Sequence, residues 1–334
     1  MKQKLTFVIA VCLFSAVAVA RTFNSQSEGA YNLKYVVNED GRTVTCNGFA
    51  VYGTSGEEDL IIPTEVVDNG ITYHVTAIGQ GAFSDYSMLT GGLVIGDSVK
   101  TIGDKAFNAC TGFTGELIFP NSVLSIGSLA FYNCIGFSGD LIISESVETI
   151  GNMAFQTCTG FTGDLVIGNS VKKIGSHAFY GCNGFRGILV IGSSLDSIDS
   201  QAFHSCNNFK NMDVKAATPP ILESDVFYGM NSDMDIIVPN GCLDEYVSSS
   251  DWDFLGGLDG VATNYEDLVV DCFTQIQNTI YFSVPTQVSL YSISGVNIFN
   301  GNVVEYELPN KFGIYVMHYK TEDGKQQMAK VLSK

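Results

Sequence analysis

A unit of twenty-four residues recurs in phase along the middle of the chain. Each copy begins at the isoleucine of an Ile-Gly pair or, in the last and weakest copy, of an Ile-Asp pair: Ile78, Ile102, Ile126, Ile150, Ile174 and Ile198. A unit this short cannot bury its apolar face alone, so neighbouring copies are expected to stack into a continuous solenoid. Because solenoids mostly present extended surfaces, the period predicts a binding or scaffold protein.

Each copy predicts two short strands and one turn of helix. In one clear copy, residues 139–143 form a β-rich run and residues 146–151 alternate as a second strand. Residues 153–158 carry apolar side chains at helical spacing, which predicts the helical turn, and glycines in residues 159–163 return the chain to the next strand. The predicted fold class is therefore a β-rich α/β solenoid.

The core follows from residues that hold one slot in every copy. One ladder of phenylalanines is Phe83, Phe107, Phe131, Phe155, Phe179 and Phe203, and a second is Phe113, Phe137, Phe161, Phe185 and Phe209. A ladder of cysteines accompanies them: Cys110, Cys134, Cys158, Cys182 and Cys206. Equivalent thiols that all point one way cannot all pair within the chain, so free buried thiols are favoured over disulfides. The sequence has no CxxC motif and no Cys/His pair at metal-ligand spacing, so no metal site is predicted.

Caps are predicted on both sides of the repeats. In front, residues 31–37 and 43–51 alternate around a turn, which predicts a hairpin. Behind Phe209 the pattern loses register, because Asp213 falls where a core leucine is expected. Farther on, an amphipathic helix is predicted with Tyr246, Trp252 and Phe254 facing inward.

The start of the chain has the features of a signal peptide. Basic residues precede an apolar run over residues 5–19, and Ala18-Val19-Ala20 places small residues at a cleavage site before Arg21. Cys12 lacks the preceding small residue of a lipoprotein signal, so cleavage is favoured over lipid anchoring. The apolar run is short for a membrane span, and no other segment predicts one. We therefore expect a secreted or cell-surface protein.

The chain divides by these patterns into five regions. They are a signal peptide (1–20), an N-terminal β cap (21–77), the repeats (78–215), a C-terminal cap (216–262) and a β-rich C-terminal module with a sandwich-like fold (263–334). The formal net charge of −18 argues against nucleic acid and anionic membranes, both of which need clustered Lys and Arg.

The repeat unit resembles a known family. The pattern IGxxAFxxCxGFxGxLxI with SVxxI, from Ile78 to about Lys215, is similar to the BspA-like leucine-rich repeats of bacterial surface proteins. The stretch from Tyr73 to Gly79 and the stretch from Thr218 to Trp252 resemble the caps of that family. The resemblance implies a leucine-rich-repeat solenoid on the cell surface, or secreted, that binds host matrix proteins, polysaccharides or other cells.

The end of the chain resembles a second family, the C-terminal sorting domain of type IX secretion in Bacteroidetes. The matching positions include Gly295, Gly313, Tyr315, Lys330 and Lys334, which the resemblance implies act as a sorting signal toward the export or attachment machinery. Ser292 departs from the acidic residue usual at its position. A purely structural tail is the alternative.

The candidate partner-binding surface is the outward face of the first strand in each repeat. In Gly-x-Leu-x-Ile the Leu and Ile are expected to point inward and the two x residues outward. The outward aliphatic row is Val94, Ile118, Ile142, Val166 and Val190, and the row beside it is Glu116, Asp140, Asp164 and Ile188. An exposed apolar stripe with a polar flank often marks a partner site. The alternatives are simple β-propensity, or cover by a loop or a second protomer.

No sequence motif predicts catalysis. GxSxG, HExxH, P-loop and dinucleotide patterns are absent from the sequence, and the four histidines share no repeat slot. We therefore predict no enzyme, cofactor or metal. The expected function is adhesion to a protein or polysaccharide of a host or neighbouring cell. The alternatives are an envelope scaffold without a specific ligand and, less favoured, a carbohydrate-active hydrolase with two facing carboxylates.

Overall fold

The computed structural model describes residues 21–26, 31–51, 56–231, 234–239, 241–252, 261–262, 273–276, 279–292, 297–307, 313–320 and 326–333. The predicted signal peptide, residues 1–20, lies outside the described residues. The chain divides into two compact units, Met1–Val261 and Ala262–Lys334.

Six strands form the N-terminal cap of the first unit. They are β1 (Thr22–Gln26), β2 (Asn32–Val37), β3 (Thr43–Phe49), β4 (Leu60–Ile62), β5 (Glu65–Asp68) and β6 (Ile71–Ile78). The predicted hairpin is confirmed, since β2 pairs antiparallel with β3 and Val37 lies opposite Val44. Parallel pairing then joins β3 to β6, which places the cap at the start of the sheet that the repeats continue.

Each repeat contributes one short strand to each of two parallel series. The first series is β7 (Leu93–Ile95), β9 (Leu117–Ile118), β11 (Leu141–Ile143), β13 (Leu165–Ile167), β15 (Ile188–Ile191), β17 (Asn211–Val214) and β19 (Asp235–Ile237). The second series is β8 (Thr101–Ile102), β10 (Ser125–Ile126), β12 (Thr149–Ile150), β14 (Lys173–Ile174), β16 (Ser197–Ile198) and β18 (Ile221–Leu222). Leu141 pairs with Leu117 and Leu165 in register, so the repeats stack slot on slot as predicted.

The predicted helical turn in each repeat is wrong. Residues 152–157 form consecutive turns, and Met153 and Thr157 have positive φ values of 57° and 58°. The N–H of Met153 donates to the carbonyl of Ser176 in the next repeat at 2.8 Å, whereas the N–H of Ala154 donates to Gly151 at 3.3 Å. Alternate N–H groups thus donate to carbonyls of the next repeat, whereas in an α-helix they would donate to carbonyls four residues earlier in the same segment. We call these turn segments, one in each repeat and hydrogen-bonded from repeat to repeat, the turn ladder.

The predicted core is confirmed. Phe131 and Phe155 stack with centroids 5.3 Å apart and planes 3° apart, and the rings of both ladders are buried. The five cysteines of the ladder are buried free thiols. The thiol of Cys158 donates to the carbonyl of Phe131 at 3.0 Å, a contact repeated at the equivalent cysteines. These thiols pack in the core and donate to backbone carbonyls of the preceding repeat.

The repeat register is kept across the predicted break. The repeat before β17 is one residue shorter, so Met212 pairs with Leu189 and fills the core slot. Asp213 consequently takes the outward position beside Val190 rather than a core position. Because this repeat is one residue shorter, the side chain of Met212 and not that of Asp213 lies in the core.

The C-terminal cap contains one short helix, α1 (Leu243–Ser248), and a short strand, β20 (Val261–Ala262), lies at the boundary of the two units. Tyr246 and Trp252 are buried as predicted, and Phe254 lies outside the described residues. The Tyr246 hydroxyl donates to the carbonyl of Ala216 at 2.7 Å, and the Trp252 indole N–H donates to Pro220 at 2.9 Å. The helix is shorter than expected, but its aromatic side chains close the end of the core.

The second unit is described through five strands. They are β21 (Phe273–Ile276), β22 (Thr279–Ser292), β23 (Asn297–Glu307), β24 (Gly313–Lys320) and β25 (Gln326–Ser333). They form one antiparallel sheet in the order β21-β22-β24-β25, with β23 also paired to β22. The sequence predicted a sandwich-like module, and the described strands all belong to this single sheet.

Candidate functional site

The predicted aliphatic row lies on the outer face of the first strand series. Val94, Ile118 and Ile142 are 47%, 66% and 51% exposed, while the alternate residues of the same strands are buried. Ile118 pairs with Ile142, and Ile142 with Val166, so the side chains stand in adjacent strands. We call these residues, with Val166 and Val190, the aliphatic stripe. Val94 lies on β7, which pairs with β4, and the other four residues lie on one sheet from β9 to β15. Their inward neighbours are buried in the core.

Exposure along the aliphatic stripe falls toward the C-terminal cap. Val166 and Val190 are only partly exposed, and the next position in the row is Asp213, which is 4% exposed. Lys215 Nζ lies 2.6 Å from one carboxylate oxygen of Asp213. The apolar part of the face open to a partner is therefore its N-terminal half, around Val94, Ile118 and Ile142.

A shallow pocket of about 220 Å³ adjoins that half of the stripe. Ile61 and Val94 line it, together with Pro63 and Asp97. Ile61 pairs with Val94 across β4 and β7, so the stripe continues onto the N-terminal cap. The cap thus adds to the candidate surface, which the repeat pattern alone did not indicate.

The acidic row has a structural role that the sequence did not reveal. Asp140 Oδ1 accepts a hydrogen bond from the Asp164 N–H at 2.8 Å, and Asp164 Oδ1 accepts one from the Ile188 N–H at 2.7 Å. Both aspartates are partly buried, whereas Glu116 is exposed. Two of the three predicted acidic contacts thus join one repeat to the next, and Glu116 is the carboxylate open to a partner.

Glycine is required beside these carboxylates. A Cβ on Gly163 would lie 1.8 Å from Asp140 Oδ1, and a Cβ on Gly187 would lie 1.9 Å from Asp164 Oδ1. Any side chain there would displace the carboxylate from the N–H that it accepts from. Gly163 and Gly187 therefore leave room for the inter-repeat hydrogen bonds of Asp140 and Asp164.

A second periodic row escaped the sequence prediction. The slot after the first phenylalanine ladder holds Tyr180, His204 and Tyr228, whose rings stack with centroids 4.8 and 4.9 Å apart. Tyr132 and Gln156 occupy the same slot in earlier repeats. Their twenty-four-residue spacing is visible in the sequence and could have predicted that their side chains stack. They lie on the turn ladder, away from the aliphatic stripe.

The described residues include candidate metal ligands and cysteine thiols. Within those residues, no group of three metal-ligating side chains converges. Burial raises the pKa of the Cys110 and Cys182 thiols to about 12, so they stay protonated and poorly nucleophilic at neutral pH. No helix in the described part of the chain is both long and apolar enough to cross a bilayer.

The predicted sorting residues fall in the second unit. Gly313 and Tyr315 lie in β24 and Lys330 lies in β25, with Tyr315 paired to Val331 and Val316 to Lys330. Gly295 and Lys334 lie outside the described residues.

Comparison with solved structures finds one protein whose similarity agrees with the fold, and further proteins of lower similarity. A leucine-rich repeat protein of T. pallidum is 23% identical with a TM-score of 0.50, over 59% of this chain and 86% of that one. A leucine-rich cell surface protein of Faecalibacterium prausnitzii is 20% identical with a TM-score of 0.45, over 66% of this chain and 65% of that one. No curated protein matches the chain.

The family model for the BspA type leucine-rich repeat region matches six copies, over residues 76–210 and 162–249. The matched residues span just over half of the chain and coincide with the stacked strands and turn ladder described above. The chain therefore belongs to the family of BspA-type leucine-rich repeat proteins.

Proposed function

We propose that this protein is an exported adhesin that binds a partner protein through the N-terminal half of the aliphatic stripe. The observation that carries the proposal is the row of exposed aliphatic side chains at Val94 on β7 and at Ile118 and Ile142 on the paired strands β9 and β11. Leu141 and Ile143, the chain neighbours of Ile142, are buried, so the pleat of the strand keeps the Ile142 side chain on the solvent side. A surface that keeps adjacent aliphatic groups in water fits a partner that covers them.

The chemistry of the stripe favours protein over glycan. Val and Ile offer apolar area without hydrogen-bonding groups, and covering each would contribute roughly 1 kcal/mol. A sugar exposes hydroxyl groups that such side chains cannot satisfy. Exposed Glu116 beside Ile118, together with the net charge of −18, favours a basic rim on the partner protein.

Export and surface location are parts of the same proposal. They are supported by the leader pattern of residues 1–20 and by the resemblance of the last residues to a sorting domain. In this mechanism the solenoid displays the stripe, and the second unit directs export or attachment through the strand residues Gly313, Tyr315 and Lys330. Gly295 and Lys334 belong to the same proposed signal.

The test is a binding screen of the whole mature chain from Arg21 against immobilised host matrix proteins and polysaccharides. We expect saturable binding to a protein that weakens about tenfold or more in Ile118→Ser/Ile142→Ser. The matched control is Leu124→Ser/Ile135→Ser, which removes two aliphatic side chains of similar exposure outside the stripe.

Equal loss of binding in both double variants would reject the stripe as the site. Binding to a polysaccharide that both variants retain would move the site elsewhere. Failure to bind any class of partner would favour the envelope scaffold.

A further inference from the structure

The turn ladder ends in an open backbone edge at the last repeat. In interior repeats its alternate N–H groups donate to the next repeat, as Met153 does to Ser176 and Thr157 does to Tyr180, both at 2.8 Å. The last turn still accepts such bonds, because Gln201 donates to Ser224 and Ser205 donates to Tyr228.

The equivalent donors of the last turn are Asp225 and Gly229. Among the described residues, no acceptor receives a hydrogen bond from the backbone N–H of either one. Both residues have positive φ, 57° for Asp225 and 74° for Gly229, like the donors in the earlier turns. The last turn therefore presents two preformed N–H donors in the geometry that binds carbonyl oxygens elsewhere in the ladder.

The row of stacked rings formed by Tyr180, His204 and Tyr228 also ends at the last repeat. Tyr228 stacks on His204 and is 65% exposed, whereas Tyr180 and His204 are only partly exposed. No ring of a described residue stacks on the opposite face of Tyr228. That face is available to a planar group at the position where the ring of a further repeat would lie.

A pocket of about 390 Å³ forms beside Tyr228. Its lining includes the carboxylates of Glu223, Asp225 and Asp251, and no basic residue among the described ones. We call it the end pocket.

The three carboxylates of the end pocket are exposed, and two have no basic partner. Hydrogen bonds from the Ser200 hydroxyl and N–H lower the pKa of Glu223, so it is charged at neutral pH. The nearby Lys173 is bound to Asp199 at 2.9 Å. Asp225 and Asp251 form no ion pair with a described basic residue. The pocket is thus negative, with an aromatic wall and a row of N–H donors.

We propose that the end pocket docks an extended, arginine-bearing segment of a partner protein. Carbonyl groups of the segment accept from the N–H groups of Asp225 and Gly229, as the next repeat would. The guanidinium stacks on Tyr228 and pairs with Asp225 and Asp251.

Arginine fits better than other groups. Its planar cation stacks on aromatic rings and pairs with carboxylates in a bidentate way, which lysine does not. An anionic ligand would be repelled by the three carboxylates. This site is separate from the aliphatic stripe and does not depend on it.

The test uses the mature chain and the peptide acetyl-Gly-Ser-Arg-Ser-Arg-Ser-Gly-amide, followed by isothermal titration calorimetry. We expect binding that weakens about tenfold in Tyr228→Ala and in Asp225→Asn/Asp251→Asn, and on replacing both arginines by citrulline. Amide exchange by NMR should slow at Asp225 and Gly229 when the peptide binds.

Matched controls separate this site from general charge attraction. Glu148→Gln/Asp196→Asn removes the same charge from exposed carboxylates elsewhere on the solenoid and should leave peptide affinity unchanged. Ile118→Ser/Ile142→Ser should also leave it unchanged, so the two proposals can fail independently. Equal weakening in the charge control, equal affinity for the citrulline peptide, or no binding at all would overturn the proposal.

Discussion

The carboxylate of Asp140 accepts a hydrogen bond at 2.8 Å from the backbone N–H of Asp164, the residue at the same slot one repeat later. Asp164 repeats the contact toward Ile188. The two aspartates therefore link successive repeats, and each uses one carboxylate oxygen to accept this hydrogen bond. This relationship separates their role from that of Glu116, for which the outward position leaves an exposed side chain.

Asp140→Ala should destabilise the solenoid by about 1 kcal/mol, because the backbone N–H of Asp164 loses its charged acceptor. Asp140→Asn should recover part of this loss, since its side-chain oxygen can still accept. Glu116→Ala, at the same slot, should change the free energy of unfolding by less than about 0.5 kcal/mol. Urea denaturation of the three variants measures the differences. Equal effects of Asp140→Ala and Glu116→Ala would contradict the hydrogen-bond chain.

Ile142 and Ile143 are neighbours on opposite faces of β11, 51% and 1% exposed. Ile143→Ala should cost roughly 3 kcal/mol, because it opens a cavity in the core. Ile142→Ala should cost less than about 0.5 kcal/mol, because its side chain is largely in water in both states. Denaturant midpoints of the two variants test the register of the strand. A larger loss for Ile142→Ala would show that the stripe is covered within the chain itself.

The cysteine ladder should make the protein sensitive to alkaline pH. Desolvation by burial raises the pKa of Cys182 from 9.0 to about 12. Below pH 9 the thiol is protonated in both the folded and the unfolded state, so its stabilising effect is complete. Between pH 9 and 12 the unfolded chain loses the proton while the folded chain keeps it, so stability falls by up to about 1.4 kcal/mol per pH unit per thiol.

Unfolding free energies of the wild type and of Cys182→Ala, measured from pH 7 to pH 11, check this effect. The variant should be less stable at pH 7, because methyl replaces a packed thiol, but its stability should fall less steeply above pH 9. Parallel pH profiles would mean that Cys182 does not contribute to the alkaline loss.

Lys105→Gly should stabilise the protein. Lys105 is exposed and has a positive φ of 56°, a conformation that costs a side chain about 1–2 kcal/mol and that glycine adopts freely. After the entropy that glycine adds to the unfolded chain, we expect a net gain of about 0.5–1 kcal/mol. Lys172→Gly, at an exposed position outside the left-handed region, should instead destabilise by about 0.5–1 kcal/mol. Thermal unfolding measures the stability of both variants, and a loss of stability in both would contradict the prediction.

Much of the interior could be predicted from the sequence. Phe131 and Phe155, or Cys134 and Cys158, hold one slot in successive repeats, so stacking must bring each residue against its own copy. The alternation in Leu141-Ile142-Ile143 likewise gave the direction of each side chain. These inferences needed only a period and the pleat of a strand.

The turn ladder shows where local pattern fails. Met153 to Cys158 has apolar residues at helical spacing, yet Met153 and Thr157 are left-handed and their N–H groups bond the next repeat. The acceptors lie on residues a full repeat away in the chain, so a local window cannot reveal them. Asp213 is similar, because its outward position follows from the pairing of Met212 with Leu189 across strands.

By itself the sequence determined the repeat, the identity of the core residues and the side from which Val94, Ile118 and Ile142 project. Only the tertiary structure decided that Asp140 and Asp164 are hydrogen-bonded to the next repeat, that exposure of the aliphatic stripe falls toward Asp213, and that the turn ladder ends in an open pocket at Tyr228. The physical reason is that a periodic pattern determines the direction of each side chain from its own strand. Its hydrogen-bond partners and its burial depend on the adjacent repeat or cap.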